Sequence, residues 1–260
     1  VFAGGIGSGN RYEGSMTRPG LDRRLADSLL WQESPWARLR YIVTEANLRR
    51  HLDPSPQRVL DVAGGSGLDA VRLAARGHEV TVLDPAGAML RSAKEHAESF
   101  DVADRLYVVQ ASAEDAPELF GPDDFDVVLC HNLLQYVEDA HALLAAITAP
   151  LRPGGLLSVL APNPDSDPMH LAIRDFDPGR ALLAMDLPAP TATDAVTTLV
   201  ELGFGLIVRY GVRCVADYIP NDELKQDAEF FDELERLELA MADRMPYLLT
   251  ARYFHLLARR

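Results

Sequence analysis

The chain holds only two cysteines in 260 residues, Cys130 and Cys214, at unrelated positions. Such a pair supplies neither a disulfide framework nor a cysteine-rich metal site, so buried thiols and no metal are expected. Long apolar runs are also missing. No stretch approaches the roughly 18 consecutive apolar residues of a membrane span, and no apolar signal core stands near Val1. The expectation is a cytoplasmic protein with no membrane partner. Positive charge is scarce, with 25 Lys and Arg against 39 Asp and Glu and a net charge of −14. A nucleic-acid partner would have to be met by a local basic face within a repulsive overall field. Such a face could come from the first fifty residues, where Arg11, Arg18, Arg23, Arg24, Arg38, Arg40, Arg49 and Arg50 cluster. The stretch from Asp217 to Asp243, with ten acids against Lys225 and Arg236, reads instead as a solvated helix face.

What is present is ordinary globular material, 48% apolar and 25% charged, enough for one domain or one domain with a small lid. Residues 1–52 read as a Gly-rich lid over 1–19 followed by helical spacing that breaks near Ser34-Pro35. Residues 53–260 read as the core. Strand patterns fall near 58–62, 79–83, 105–109, 125–130 and 155–161, alternating with helices near 67–76, 86–99 and 138–149. Such alternation predicts an α/β fold, a mostly parallel sheet covered on both faces. The regularity lapses at about 162–192, a proline-rich insertion with a short amphipathic piece around Met169–Phe176, expected to cap the substrate. A helix near 192–202, a strand Leu206–Val215, a long helix through Phe230–Met241 and a last strand Arg252–Ala258 close the chain.

One stretch carries most of the chemistry. Val59-Leu60-Asp61-Val62-Ala63-Gly64-Gly65-Ser66-Gly67 is strand, acid and glycine-dense turn, with a helical pattern opening at Leu68. Glycines there let a ligand approach the backbone, and the exposed helix N-terminus offers free N–H groups. Seventeen residues beyond Gly67 a second strand ends in Asp84, placed to accept both hydroxyls of a ribose. The plain alternative is a tight βα turn with a helix-capping Asp. Two ligands suit the turn, a dinucleotide or S-adenosylmethionine. Asp61 favours the second, because a carboxylate at the end of the first strand attracts an ammonium and repels a pyrophosphate. A nicotinamide oxidoreductase also lacks its Tyr-x-x-x-Lys pair here.

Leu60–Gly67, Leu83-Asp84-Pro85 and Leu151-Arg152-Pro153-Gly154-Gly155 resemble the motifs of the class I S-adenosylmethionine-dependent methyltransferases. The resemblance implies a Rossmann-like three-layer sandwich whose sheet ends in a C-terminal antiparallel strand. It also implies a cofactor site made by Asp61, Ala63, Gly64, Gly65 and Gly67, with Asp84 on the ribose. Pro85 and Met89 would lie near the adenine face, Ala113 and Glu114 at its edge, and His131 beneath the methionine moiety. Ala63 stands where the family usually has Gly, and Ser112 where it often has Asp. A longer resemblance, carried by Leu30-Trp31-Gln32, Leu134–Val137, Asn163, Gly211–Arg213, Asp217-Tyr218, Pro246-Tyr247 and Arg252–His255, is to bacterial members that esterify a carboxylate on a wobble uridine of tRNA. Two departures stand out. The lysine-rich run of those members is replaced by Ala184–Pro190, and Ala26 occupies the place of the arginine for the cofactor carboxylate, leaving Arg23 or Arg24 for that role.

Methyl transfer to a carboxylate needs an aligned nucleophile and no general base, so no catalytic residue is assigned. A cation or donor must orient the acceptor, and Tyr12, Arg174, Arg213 and Tyr253 are the candidates. For Arg213 the competing role is a salt bridge to Asp217. The expected partner is thus a tRNA anticodon region or a small molecule. The readings carried forward are methyl transfer to a carboxylate or other oxygen nucleophile, a small-molecule methyltransferase, and a cofactor-binding protein without catalysis.

Overall fold

The β-branched runs become seven strands in the computed structural model, which describes residues 34–260. They are β1 (Arg58–Val62), β2 (Glu79–Leu83), β3 (Leu106–Val109), β4 (Phe125–His131), β5 (Leu151–Pro162), β6 (Gly205–Val212) and β7 (Tyr253–Arg259). Their order in the sheet is β3-β2-β1-β4-β5-β7-β6. The first five pair in parallel, and β7 runs antiparallel between β5 and β6. The expected α/β class and antiparallel C-terminal strand are both seen. Tyr12, Arg23, Arg24 and the 1–19 lid lie outside the described residues.

Ten helices cover the described part of the sheet: α1 (Pro35–Arg49), α2 (Leu68–Ala74), α3 (Gly87–Ser99), α4 (Ala116–Leu119), α5 (Ala140–Thr148), α6 (Asp167–Ile173), α7 (Pro178–Ala184), α8 (Ala192–Glu201), α9 (Ala228–Met241) and α10 (Tyr247–Thr250). One face of the sheet, with Leu60, Val128, Leu157 and Leu256, packs against Leu144 and Ile147 of α5 and Leu199 of α8. The other, with Val59, Val82, Leu129 and Leu156, packs against Val71 and Leu73 of α2 and Leu48 of α1. Central parallel strands are buried on both faces and therefore read as unbroken apolar runs. Each fully buried Val or Leu contributes about 1.5–3 kcal/mol, so Val59, Leu60 and Val62 together offset the several kcal/mol that the buried acid between them, Asp61, costs.

Register aligns the chemistry. Val62 pairs with Leu83 on one side and with Cys130 on the other, and Leu83 pairs with Val109. The next residues, Ala63, Asp84, Gln110 and His131, therefore leave the sheet level with one another. This edge flanks the β1–β4 neighbour pair where strand order reverses, the usual place for a ligand crevice in an open α/β sheet. Because β7 is antiparallel, its first residue Tyr253 lies at the same edge, beside Val212 and Pro162.

Two boundaries differ from expectation. The sixth strand stops at Val212 rather than 215, since Arg213 turns left-handed at φ 61°. The N–H groups of Cys214, Val215 and Ala216 then leave the ladder for the buried carboxylate of Glu238, at 2.6, 3.0 and 2.7 Å. The insertion at 162–192 is also more regular than its prolines suggest. Pro164, Pro168 and Pro178 stand in the first turns of a 3-10 turn, α6 and α7, where a missing N–H costs nothing. Two arginines tie it down: Arg252 pairs with Asp167 at 2.7 Å, and Arg174 binds Asp222 at 2.7 Å and the Ile219 carbonyl at 2.6 Å.

Candidate active site

The turn between β1 and α2 is built from left-handed residues. Ala63, Gly65 and Gly67 have φ of 52°, 56° and 71°. Alanine carries a steric cost there that glycine would not, which is the price of the departure at position 63. Gly64 is required for a different reason. A Cβ on it would stand 2.6 Å from the Asp61 carboxylate and 3.0 Å from Val82.

Asp84 ties β2 to this turn. Its Oδ2 accepts the Gly65 N–H at 3.0 Å and its Oδ1 the Ala86 N–H at 2.8 Å. A carboxylate has about four acceptor sites, so both oxygens retain capacity for ribose hydroxyls. Burial pushes the Asp84 carboxyl up, and the two N–H groups partly offset this. Asp61 is more extreme. Burial raises its carboxyl well above the ordinary range, reinforced by Asp69 and Asp84 and opposed by Arg40. Its Oδ2 is buried with no hydrogen-bond partner among the described residues. An unpartnered buried acceptor amid three acids fits a ligand that arrives with a cation, and the ammonium of S-adenosylmethionine fits it.

The adenine side is more open. Pro85 and Glu114 are exposed, Met89 is half-buried, and Ala113 is buried in a 3-10 turn capped by Ser112 and Asp115. The Met89 methyl lies 3.7 Å from the Cβ position of Gly65, so it borders the turn. Gln110, which the sequence reading passed over, bonds the Pro85 carbonyl at 3.1 Å and crowds Gly87.

The methionine side holds residues that spacing did not expose. His131 gives one ring nitrogen to Asp69 (Nδ1, 3.0 Å) and the other to Ser158 (Nε2, 2.8 Å). Asp69, in the first turn of α2, also takes the Arg40 guanidinium at 3.0 Å. Burial alone would raise the Asp69 carboxyl; Arg40 and His131 reverse this and hold it far below the usual carboxylate range. The acidic residue of a first helical turn was the available signal for Asp69. Nothing local marked Arg40, which arrives from α1 across 29 residues.

The substrate candidates separate. Arg213 and Tyr253 come together, the guanidinium 5.6 Å from the ring centroid. Arg213 is also buried against Asp217, so the geometry includes the salt bridge set out as its competing role. Arg174 is committed to the 219–222 loop. Among the described residues no group of three or more His, Cys, Asp or Glu side chains is arranged to hold a metal, and no helix is long and apolar enough to cross a membrane. Cys130 and Cys214 are buried free thiols.

A methyltransferase domain model matches residues 59–155, from β1 to the start of β5. The tRNA 5-carboxymethoxyuridine methyltransferase of Escherichia coli O157:H7 is 31% identical over 247 residues, covering 91% of this chain and 88% of that one. The chain belongs to the class I S-adenosylmethionine-dependent methyltransferases. A crystal structure of an S-adenosylmethionine-dependent methyltransferase from Thermotoga maritima shares the fold at 14% identity, with a TM-score of 0.61 over 92% of this chain and 97% of that one. One from Archaeoglobus fulgidus does so at 18% identity, with a TM-score of 0.55 over 85% and 94%. In this methyltransferase the partner proposed for Asp61 makes a pH prediction. The cationic end binds the ionised carboxylate, the form that burial disfavours in the free protein. Binding therefore releases a proton, and affinity for S-adenosylhomocysteine rises as pH climbs through the raised Asp61 range, then levels off. Asp61→Asn flattens that dependence; calorimetry showing the same slope in both proteins would remove Asp61 from the ammonium.

Proposed function

We propose that this enzyme methylates a carboxylate oxygen of a modified wobble uridine in tRNA. The observation that carries the reading is the reach of the similarity to the tRNA-modifying relative, which extends over 247 residues. At 91% of the chain it takes in the insertion and β6, well beyond the methyltransferase domain match at 59–155. Substrate choice in such folds resides in segments outside the shared core.

S-adenosylmethionine supplies an activated methyl on a sulfonium. The chain's own task is to hold the cofactor at Gly64–Gly67 and Asp84 and to present an already ionised acceptor in line. Arg23 or Arg24 would hold the cofactor carboxylate. Tyr253 and Arg213, at the sheet edge where the glycine turn lies, would orient the substrate carboxylate, Tyr253 through its hydroxyl and Arg213 through its positive charge. Residues 53–260 form the core in this reading, and the 162–192 insertion caps the substrate.

A small-molecule acceptor is the second reading, and one observation favours it. The insertion presents Leu182, Leu183, Met185 and Leu187 to solvent where a basic run would serve RNA. The two part in one assay. Protein, methyl-labelled S-adenosylmethionine and bulk tRNA bearing the free carboxylate should give alkali-labile label in the tRNA, as an ester requires. Unlabelled tRNA beside labelled small metabolites in a parallel extract would establish the second reading.

A further inference from the structure

Across the face of the sheet that α1 and α2 cover runs a line of polar side chains that neither strand pairing nor core packing needs. His131 of β4, Ser158 of β5 and His255 of β7 are all buried. They share this face with Leu129, Leu156 and Leu257, apolar residues two positions away on the same strands. Polar groups in such a place are costly unless bonded, and these form a continuous chain. His131 Nδ1 meets Asp69 Oδ2 at 3.0 Å, His131 Nε2 meets Ser158 Oγ at 2.8 Å, and Ser158 Oγ meets His255 Nε2 at 2.8 Å. Arg40 closes the Asp69 end at 3.0 Å, and Asn132, with its carboxamide turned over, would offer the same guanidinium its oxygen at 3.1 Å.

The chain has a direction. Asp69 is ionised and can only accept, so His131 Nδ1 donates. At the other end His255 donates from Nε2 to Ser158 Oγ, whose own proton then goes to His131 Nε2. Burial pushes His255 well below the usual histidine range, so that ring carries one proton. The proton belongs on Nε2, because Nδ1 is the ring atom left buried without a partner. An unprotonated nitrogen tolerates that position better than an N–H would.

We propose that Ser158 and His255 are positioning residues for cofactor binding: they hold the His131 ring so that its Nδ1–H stays on Asp69 Oδ2, which leaves Asp69 Oδ1 to accept the cofactor's ammonium beside Asp61. Oδ1 has no hydrogen-bond partner among the described residues, whereas Oδ2 has two. Asp69 is one helical position beyond Leu68, directly after the glycine turn, and His131 is level with Ala63. Loss of the Ser158 hydroxyl leaves His131 Nε2 buried without its donor, so the ring is no longer held in one orientation and its hydrogen bond to Asp69 Oδ2 loosens. The inference rests on the cofactor lying at the glycine turn.

The test uses the whole chain with Ser158→Ala, His255→Leu and His255→Gln, and two readouts. NMR of the imidazole N–H protons, on protein without ligand, should show a His131 Nδ1–H that exchanges slowly with water in the parent and faster in Ser158→Ala and His255→Leu. The Gln variant, which retains an N–H donor for Ser158, should keep the parent pattern. Calorimetry then compares S-adenosylhomocysteine with 5′-methylthioadenosine, which has the nucleoside but not the amino-acid end. Ser158→Ala and His255→Leu should weaken the first about tenfold and leave the second within about twofold, with His255→Gln restoring affinity. Parallel weakening of both probes would mean general loosening and overturn the inference. So would unchanged exchange of the His131 Nδ1–H, or faster exchange with unchanged S-adenosylhomocysteine affinity. Failure of the parent to bind either probe would instead strike the cofactor placement, which the ligand-free NMR distinguishes.

Discussion

Glu238→Ala should lower stability by about 3–5 kcal/mol, about 10 °C in melting temperature for a domain of this size. Glu238 lies fully buried on α9 and collects three successive N–H groups, those of Cys214, Val215 and Ala216. Alanine strands all three where β6 has ended and no ladder can take them. Glutamine is not a remedy, because its NH2 must face either the Cys214 N–H or the pair from Val215 and Ala216. It should fall between alanine and the parent. The same turn sets the left-handed backbone of Arg213 and the position of Asp217. A folded residue of Glu238→Ala protein should therefore show impaired methyl transfer with little change in S-adenosylhomocysteine affinity. A melting temperature within 2–3 °C of the parent, about 1 kcal/mol, would show that water replaces the carboxylate and that the turn is held by other contacts.

Asp84→Ala should weaken S-adenosylhomocysteine by about 3 kcal/mol, more than a hundredfold. The ribose hydrogen bonds to an anion are one part of this. The other comes from the protein, since Asp84 also holds Gly65 and Ala86 by their N–H groups. Asp84→Asn separates the parts: its single oxygen can still accept one loop N–H, but the amide turns a donor towards the other. Calorimetry on protein shown by circular dichroism to be folded is the measurement. Affinity within threefold of the parent would place the ribose elsewhere.

The glycine turn and its two acids were legible because their requirements are local. A tight turn needs left-handed residues, a strand end needs an acid, and both fall within a few positions of each other at 61–67 and 84. Arg174 shows where such reading stops. Its residue type suited a substrate carboxylate, but only the folded chain shows its guanidinium spent on Ile219 and Asp222. Arg252 is the converse, a residue in a recognised motif whose contact with Asp167 pins the insertion.

The sequence by itself determined the parallel α/β core, the glycine turn and its two acids, because periodicity and turn chemistry act over spans of a few residues; the antiparallel sense of the last strand followed from the family resemblance. The tertiary structure decided what depends on distant segments meeting. Only packing of α1 over the sheet brings Arg40 to Asp69, and only the β4-β5-β7 neighbourhood brings His131, Ser158 and His255 into one hydrogen-bonded line. Those contacts span 27 to 97 residues. At such separations a polar residue in an apolar strand reads as an irregularity until the neighbouring strand supplies its partner.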